Sequence, residues 1–315
     1  MQEEQVSHNP LLAVWRWFDS WAGTERIPAD LPQRVDWFRC IPFIVLHVAC
    51  LGVIWVGASW TAVGWALLLY VARMFAITGF YHRYFSHKTF KTSRPVQFVL
   101  AVWGNSAAQR GPLWWASHHR EHHKHSDDES DVHSPIQHGF VWSHIGWITS
   151  KANFVTRIKS VPDLARFPEL RWLDRYDTVV PILLVGLSFA LGGMLGHFWP
   201  SLGTSALQLG IWTVVSTVVL FHGTCTINSL SHIFGRRRFE TTDHSRNNLW
   251  LALITLGEGW HNNHHHYPAT VRQGFYWWEV DVTFYLLKLL SWTGLIWDLK
   301  PVPVQVLPPR ASRRG

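Results

Sequence analysis

The fold is decided by residues 179–230, which read VVPILLVGLSFALGGMLGHFWPSLGTSALQLGIWTVVSTVVLFHGTCTINSL. These fifty-two residues contain no Asp, Glu, Lys or Arg. A second block, residues 41–80, has forty residues and one formal charge, Arg73. The hydrocarbon core of a bilayer is about 30 Å thick and needs roughly 20 apolar residues per helix. Each block is therefore long enough for two membrane spans and a tight connector.

We predict spans at about residues 41–60, 62–80, 179–199 and 207–230, with the Gly-, Pro- and Ser-containing residues 198–204 forming the second turn. Each pair of spans is expected to be a helical hairpin, because only helices satisfy their own backbone hydrogen bonds in lipid. The alternative, two buried hairpins in a soluble protein, is less favoured, since only 16% of the residues are charged against about 25% in soluble domains.

Lysine and arginine residues predict the orientation of the spans. Four precede residue 41, thirteen lie in residues 83–178 and ten follow residue 230, whereas neither predicted hairpin turn contains one. Basic residues concentrate on the cytoplasmic side of membrane proteins. We therefore expect both termini and the middle loop to be cytoplasmic. The net charge of +7 then suits anionic lipid on that face, or alternatively an anionic substrate or carrier, and no nucleic-acid partner is expected.

The predicted fold class is an all-α integral membrane protein with four transmembrane helices in two hairpins and a cytoplasmic helical cap. Residues 1–40 form a cytoplasmic segment, and residues 41–300 form a single domain whose cap contains residues 81–178 and 231–300. Residues 301–315 are predicted to form a disordered tail. The acidic start MQEEQ predicts no cleavable signal peptide, and the compact length favours a bacterial plasma membrane.

The cysteines exclude one class of structure. Cys40, Cys50 and Cys225 follow no metal or redox spacing, and their odd number does not fit a disulfide scaffold. Disorder is excluded as well, because 48% of the residues are hydrophobic and so apolar a chain has enough surface to bury.

The positions of the histidines indicate the chemistry of the protein. Eight of the twenty fall into three clusters, each on the predicted cytoplasmic side of a span. The clusters are His82 and His87 in HRYFSH; His119, His122 and His123 in HREHH; and His261, His264 and His265 in HNNHH.

The spacing within the second and third clusters, i, i+3 and i+4, places three imidazoles on one helix face. His87 follows His82 by five residues, which is about 140° round a straight α-helix. These two side chains are therefore expected to converge only if the helix ends between them or the site wraps around it.

Imidazole is a ligand for iron, zinc, copper and nickel, whereas calcium and magnesium prefer oxygen. Eight imidazoles exceed the four to six ligands of one ion, so the sequence predicts a histidine-rich site for two metal ions. Structural zinc is the alternative, but such sites are usually rich in cysteine, and the clusters contain none.

The motifs HRYFSH (82–87), HHREHH (118–123) and GEGWHNNHH (257–265), between two pairs of spans, resemble those of the membrane fatty-acyl desaturases. The resemblance covers residues 60–300 and includes NSLSHIFG (228–235) and the closing WDLK. Within that family the chain is most similar to the acyl-CoA, stearoyl-CoA-type Δ9 branch.

The resemblance implies a set of metal ligands. Nine histidines hold two Fe²⁺ ions in that family, and an asparagine reaches one ion through a water. The matching positions are His82, His87, His119, His122, His123, His232, His261, His264 and His265, with Asn228 as the water-mediated partner.

The implied reaction uses oxygen and two external electrons to remove two hydrogens from adjacent carbons of a saturated long-chain acyl-CoA. It leaves a cis double bond and two waters, because breaking an unactivated C–H bond requires an oxidant formed at a metal. An apolar tunnel would select the bond. Gln109 and Trp115 are candidates for its wall, together with Trp103 and Trp114, although tryptophans also form interfacial belts.

One departure from the family concerns the acyl carrier. Ser117 and His118 stand where vertebrate members carry an Arg-Asp pair that grips the CoA headgroup. Acyl carrier protein and a membrane lipid are therefore alternative carriers. The chain has no fused haem-domain signature, so we expect a separate electron donor such as a ferredoxin or a b-type cytochrome system.

The remaining histidines favour other roles. His118 and His266 adjoin the clusters but are expected to point away from the face that their neighbours define. His47, His197 and His222 lie in or at the ends of spans. An ionisable residue there is a functional candidate by default, and a neutral imidazole bonded to a helix is the alternative.

The acidic run SDDESD (126–131) lies between His125 and His133. Its carboxylates are expected to orient ligand imidazoles or to face water, rather than to form a second, oxygen-ligand metal site.

Two other functions remain open from the sequence. A hydroxylase of the same metal architecture would use the same oxidant. A metal transporter should place ionisable ligands at the bilayer midplane, whereas these clusters lie at or beyond the span ends, which argues against transport.

Overall fold

The computed structural model describes residues 10–24 and 31–307, and the predicted tail lies outside the described residues from residue 308 onward. In chain order the α-helices are α1 (Pro10–Trp15), α2 (Ile41–Ala49), α3 (Val53–Val56), α4 (Trp60–Phe75), α5 (Arg94–Asn105), α6 (Pro112–His125), α7 (Pro135–His138), α8 (Pro162–Ala165), α9 (Pro168–Arg175), α10 (Val179–Phe198), α11 (Ala206–Leu230), α12 (Leu249–Ile254), α13 (His261–His266) and α14 (Val282–Trp292). Two short strands, β1 (Lys91–Thr92) and β2 (Ile296–Trp297), pair antiparallel.

Among the described residues, three helices are long and apolar enough to cross a membrane: Trp60–Ser86, Val179–Phe198 and Pro200–Leu230. They coincide with the second, third and fourth predicted spans. The first predicted span corresponds to the continuous apolar helix Ile41–Val56, which is shorter than the roughly 20 residues that a perpendicular span needs. The predominantly helical class is therefore confirmed, and three of the four predicted spans coincide with candidate membrane-spanning helices.

Small residues allow the membrane helices to pack closely. A Cβ atom on Gly192 of α10 would lie 2.4 Å from the carbonyl oxygen of Ser205, which precedes α11. Helix α4 also packs against α11, where its Arg73 is 2% exposed. The Arg73 guanidinium donates hydrogen bonds to the hydroxyls of Thr217 (2.6 Å) and Ser216 (2.8 Å), so an intramembrane charge is held by polar groups between the helices.

The helix that begins as α4 becomes π-helical from Ala76 to Ser86. In a π-helix each amide bonds to the carbonyl five residues earlier, and the amide of His87 donates to the carbonyl of His82 at 3.3 Å. Residues five apart thereby lie close together along the helix, and the rings of His82 and His87 meet edge to face with their centroids 5.0 Å apart. The helix ends at Ser86, and His87 is its C-cap. The expectation that the two side chains converge only if the helix ends between them or the site wraps around it is therefore met by a helix end.

Helix α13 is short, and asparagines fix its position. The side-chain oxygen of Asn262 accepts the backbone amides of Arg238 (2.7 Å) and Phe239 (2.8 Å). Asn263 accepts the side-chain amide of Asn247 at 2.7 Å. The two asparagines inside HNNHH therefore anchor the helix while its histidines face the opposite helix, α6.

Candidate metal centre

Nine histidines converge into two groups whose ligand nitrogens lie within 4.8 Å of one another in each group. Cluster A consists of His82, His87, His119, His123 and His264, and cluster B of His122, His232, His261 and His265. These are the nine histidines that the family resemblance selected.

Helices α6 and α13 each contribute to both clusters. From α6, His119 and His123 enter cluster A and His122 enters cluster B. The i, i+3, i+4 spacing places all three on one helix face, and the two clusters lie side by side along it. The rings of His123 and His265, from different clusters, stack at 4.4 Å between centroids.

The Nε2 atoms of cluster A point at one another. His87 and His119 approach to 2.8 Å, and His264 lies 2.9 Å from both His82 and His123. A neutral imidazole carries a hydrogen on only one ring nitrogen, and the single Nε2 hydrogen of His264 cannot point at both neighbours. Nitrogen lone pairs therefore face each other, which is the arrangement that a cation between them stabilises.

Carboxylates fix the opposite nitrogen of four ligands. Each takes the Nδ1 hydrogen, which leaves the Nε2 lone pair aimed into a cluster. The pairs are His82 with Glu258, His122 with Asp131 (2.9 Å), His232 with Asp127 (2.8 Å) and His265 with Asp243 (2.5 Å).

Glu258 belongs to a wider buried network. The Arg83 guanidinium donates to Glu258 at 3.1 Å and contacts Asp281 at 3.0 Å. The side-chain amide of Gln273 donates to Glu258 at 3.0 Å. Burial opposes ionisation of Glu258, but the charges of His82 and Arg83 hold its pKa below the ordinary value. The carboxylate that orients His82 is thus itself held by two donors.

Burial favours the neutral imidazole at several ligands, whereas at His122 the effect of burial is more than offset by Asp131, which raises the pKa. Burial, reinforced by the neighbouring histidines, lowers the pKa of His87 and of His119 well below the ordinary value. Burial opposes ionisation of Asp131 and Asp127, but their histidine partners more than offset this and lower the pKa of both. Neutral imidazole is the form that binds a metal ion.

The residues of cluster B fit a transition-metal ion. The Nε2 atoms of His232 and His261 are 3.0 Å apart, and Nε2 of His265 is buried without a hydrogen-bond partner. Two imidazole nitrogens bound at right angles, each about 2.1 Å from one ion, lie about 3 Å apart. The spacing, the orphaned nitrogen and the all-imidazole donor set suit iron, zinc or copper rather than calcium or magnesium.

Two cavities adjoin the clusters. The inner cavity is lined by residues of α4, its π-helical continuation and α11, including Met74, Ile77 and Ile227. The outer cavity is lined by Gln109 and Trp147, among others. Both cavities include Trp115, His119, Thr224 and Asn228 in their walls.

The predicted tunnel residues Gln109 and Trp115 therefore line a cavity beside cluster A, as does Trp114. Gln109 donates to the hydroxyl of Thr224 at 2.9 Å. Trp103 instead packs against Phe80, with ring centroids 5.3 Å apart. Asn228 lines both cavities.

The two histidines that adjoin the clusters, His118 and His266, point away from them as predicted, although His118 lines the outer cavity. The His118 ring contacts the carbonyl of Val155 at 3.1 Å. The ring of His266 stacks on Phe239 at 4.0 Å between centroids. Neither belongs to a group that could hold a metal ion.

The sequence did not single out several groups that complete the site. His133 shares Asp131 with His122 and lies 4.3 Å from the His122 ring, centroid to centroid. Asp243 and Gln273 lie outside the three histidine clusters, so no sequence motif indicated that they belong to the site. Glu258 had a signal, because it lies inside the motif GEGWH.

The fold and the site define a class: a helical membrane protein with two adjoining buried histidine clusters that could each hold a metal ion. A sequence profile described as fatty acid desaturase matches residues 58–291. The chain belongs to the fatty acid desaturase family, as the motifs predicted, and is an oxidoreductase of lipid metabolism.

Relatives in the family act on differently bound acyl chains. The chain is 38% identical to the sn-2 palmitoyl-lipid 9-desaturase of Nostoc sp. (strain 36), over 90% of this chain and 98% of that protein. It is 37% identical to the acyl-CoA 5-desaturase AL21 of Anemone leveillei, over 87% and 82% of the two chains. It is 36% identical to the sn-1 stearoyl-lipid 9-desaturase of Anabaena variabilis, over 87% and 97%.

Proposed function

We propose that the protein is a di-iron, oxygen-dependent desaturase that inserts a cis double bond at the Δ9 position of a saturated long-chain fatty acyl substrate. The observation that carries this proposal is the convergence of nine histidines into two clusters beside a cavity, in a member of this family. The names of the relatives include both 9- and 5-desaturases, and those that name position 9 support Δ9.

Clusters A and B are proposed to hold one iron ion each, with Asn228 reaching an ion through a water. When bound, the pair of ions supplies the oxidising power that removes hydrogen from an unactivated methylene, using oxygen and two electrons. Glu258, Asp127, Asp131 and Asp243 hold the Nδ1 hydrogens, and so keep the Nε2 lone pairs available to the ions.

The cavities are proposed to hold the acyl chain. Met74, Ile77 and Ile227 give the inner cavity an apolar wall, which suits the methyl end of the chain and excludes water. Trp115 and His119 lie where the inner and outer cavities meet. An acyl chain running through both would pass the clusters at one fixed distance from its end, and this distance would select the bond.

We further propose that residues 41–300 form one domain with four spans and that the clusters face the cytoplasm of a bacterial cell, where a separate ferredoxin or b-type cytochrome system supplies electrons. The distribution of basic residues supports this orientation. Helix Ile41–Val56 would cross with the residues on either side of it and local thinning of the bilayer.

Product analysis tests the proposed function. Purified, iron-loaded protein would receive oxygen, reduced ferredoxin and deuterated palmitoyl and stearoyl chains, each offered both as acyl-CoA and as phosphatidylcholine. We expect a product lacking two hydrogens, with the cis double bond located at Δ9 by fragmentation. A hydroxylated chain, or none of these products from any carrier, would reject a desaturase.

Adjacent histidines supply a matched control. His265→Gln removes a proposed ligand of cluster B and should reduce product to background. His266→Gln lies one residue away, outside both clusters and both cavities, and its amide can still donate to the carbonyl of Val306. This variant should retain its iron and most of the activity, and equal loss in the two variants would contradict the assignment.

A further inference from the structure

The two clusters differ in the charges that surround them. Three of the four histidines of cluster B are paired through Nδ1 with an aspartate: His122 with Asp131, His232 with Asp127 and His265 with Asp243. Within cluster A, whose five histidines are all described, His82 alone has a carboxylate partner, Glu258. Three carboxylates therefore contact the ligands of cluster B, and one contacts a ligand of cluster A.

Cations offset the carboxylates near cluster A. The guanidinium of Arg83 lies between Glu258 (3.1 Å) and Asp281 (3.0 Å) and is buried with them. One cation thus faces two carboxylates, and a single negative charge is left over.

A second charged group lies next to His87 of cluster A. Arg120 donates to the carbonyl of Ser86, the residue before His87, at 3.0 Å. Arg120 and Lys88 share one carboxylate, that of Asp163, at 2.7 and 2.8 Å. This group carries no net negative charge, so the surroundings of cluster A are close to neutral.

The aspartates of cluster B have no such balance. Among the residues that the structure describes, no lysine or arginine forms an ion pair with Asp127, Asp131 or Asp243, and all three are buried. Burial lowers the pKa of His133, the second partner of Asp131, so it adds no positive charge. His244 lies 3.5 Å from Asp127, but its side chain is 49% exposed, and water screens its charge.

One histidine from each cluster reports how its surroundings treat a positive charge. Burial lowers the pKa of His87, and the neighbouring histidines and two arginines lower it further. Burial also opposes protonation of His122, but Asp131 and the other two aspartates outweigh burial and raise its pKa. Cluster A therefore disfavours additional positive charge, whereas cluster B favours it.

From this difference we propose, resting on the di-iron function above, that Asp127, Asp131 and Asp243 make the ion of cluster B the more easily oxidised of the two. Fe³⁺ has one more positive charge than Fe²⁺, and buried carboxylates stabilise that charge strongly because little solvent screens it. A carboxylate bonded to Nδ1 also makes an imidazole a more basic ligand. The fifth imidazole of cluster A is neutral and adds no charge. The first electron to leave the ferrous pair comes from cluster B, and the first electron returned to the ferric pair enters cluster A.

Redox titration of single-site variants tests this inference. His87→Ala and His261→Ala would be loaded with ⁵⁷Fe, equilibrated with redox mediators at fixed potentials without oxygen, frozen and measured by Mössbauer spectroscopy. We expect the ferric-to-ferrous ratio of the ion left in cluster B of His87→Ala to exceed that of the ion left in cluster A of His261→Ala by about 100-fold, or about 120 mV for one electron. Equal ratios, or a higher ratio in cluster A, would overturn the inference and leave the two-metal desaturase standing, whereas a folded original chain without iron would overturn both.

A substitution that removes charge but keeps the hydrogen bonds separates electrostatics from structure. In Asp127→Asn the remaining oxygen can accept the Nδ1 hydrogen of His232 and the backbone amide of His244, each now 2.8 Å from Oδ2. The new NH₂ group can donate to the hydroxyl of Ser134. The protein with both ions should oxidise in two steps, and Asp127→Asn should lower the ferric-to-ferrous ratio of the first step about tenfold at a fixed potential.

The matched control is Asp128→Asn, because that side chain is 52% exposed and should titrate like the original chain. Asp127→Asn would contradict the inference if it titrated like this control or shifted only the second step. Both readings come from the Mössbauer spectra and do not depend on turnover.

Discussion

A single carboxylate, Asp131, orients two imidazoles beside cluster B. One of its oxygens takes the Nδ1 hydrogen of His122 at 2.9 Å and the other takes that of His133 at 2.8 Å. The amide of Asp127 also donates to Asp131 at 2.9 Å. Asp131 is 2% exposed, so no water can replace it as the acceptor for these hydrogens.

Asp131→Asn should weaken metal binding at cluster B about 10- to 100-fold. Asparagine keeps the size of the side chain but has one acceptor oxygen, so its NH₂ group would face an imidazole N–H. Iron affinity would be measured by competition with a chelator. The control is Asp128→Asn, because that side chain is 52% exposed and bonds to His125; equal affinities in the two variants would contradict the role of Asp131.

Most of the proposed metal ligands could be predicted from the sequence, but few of the carboxylates that hydrogen-bond to them could. The α-helical spacing marked His119, His122 and His123 because three residues on one face need only local structure. His232 came only from the family resemblance. Asp243 could not be predicted, since it meets His265 through a loop whose path is set by tertiary contacts.

Hydrogen bonds between three histidines join α2 (His47), α11 (His222) and the short helical stretch Trp142–Gly146 (His144). The His47 Nδ1 hydrogen goes to the carbonyl of Phe43 (2.7 Å), which can only accept. Nε2 of His47 must then accept from His222 (3.0 Å), and His222 in turn accepts from His144 (3.0 Å). Nδ1 of His144 lies 2.9 Å from the hydroxyl of Ser229, which also donates to the carbonyl of Cys225 at 3.0 Å. Both ring nitrogens of each imidazole have a hydrogen-bond partner, which favours the structural interpretation of His47 and His222.

His222→Leu should lower the free energy of unfolding by about 1–3 kcal/mol, because it leaves two imidazoles without their partner. The unfolding would be followed in detergent by near-ultraviolet circular dichroism. His197→Leu is the matched control: that residue is exposed at the end of α10, and its replacement should leave stability unchanged. A His222→Leu variant as stable as the control would show that these hydrogen bonds contribute nothing.

The lengths and the polarity of the helices could be predicted from the sequence better than the type of helical turn within them. Apolar runs located Val179–Phe198 and the helix ending at Leu230. No sequence pattern indicated the π-helical stretch from Ala76 to Ser86, which packs against α6 and contains Arg83 of the buried carboxylate network. The edge-to-face contact of His82 with His87 therefore could not be predicted from helical spacing alone.

The whole molecule is proposed to place every histidine cluster on one side of the membrane and both hairpin turns on the other. The turn between α10 and α11 contains Ser201, and the turn after α3 contains Ala58; both residues are exposed. Lys159 is an exposed residue of the cap. These three positions report directly on the number and direction of the spans.

Cysteine labelling in intact cells should distinguish the two sides. Ser201→Cys and Ala58→Cys should react with a membrane-impermeant maleimide added from outside, and Lys159→Cys should react only after permeabilisation. The three variants would be made in a Cys50→Ser background, because Cys50 is partly exposed whereas Cys40 and Cys225 are buried. If Ala58→Cys behaves like Lys159→Cys, helix Ile41–Val56 does not cross and the four-span arrangement is wrong.

The central claim is that nine converging histidines make two metal sites, and counting iron tests it most directly. The folded protein would be loaded anaerobically with Fe²⁺, separated from free metal and measured by mass spectrometry of the metal against protein concentration. We predict two iron ions per chain, falling to about one in His87→Ala of cluster A and in His261→Ala of cluster B. One ion or none in the unaltered, folded chain would contradict the account.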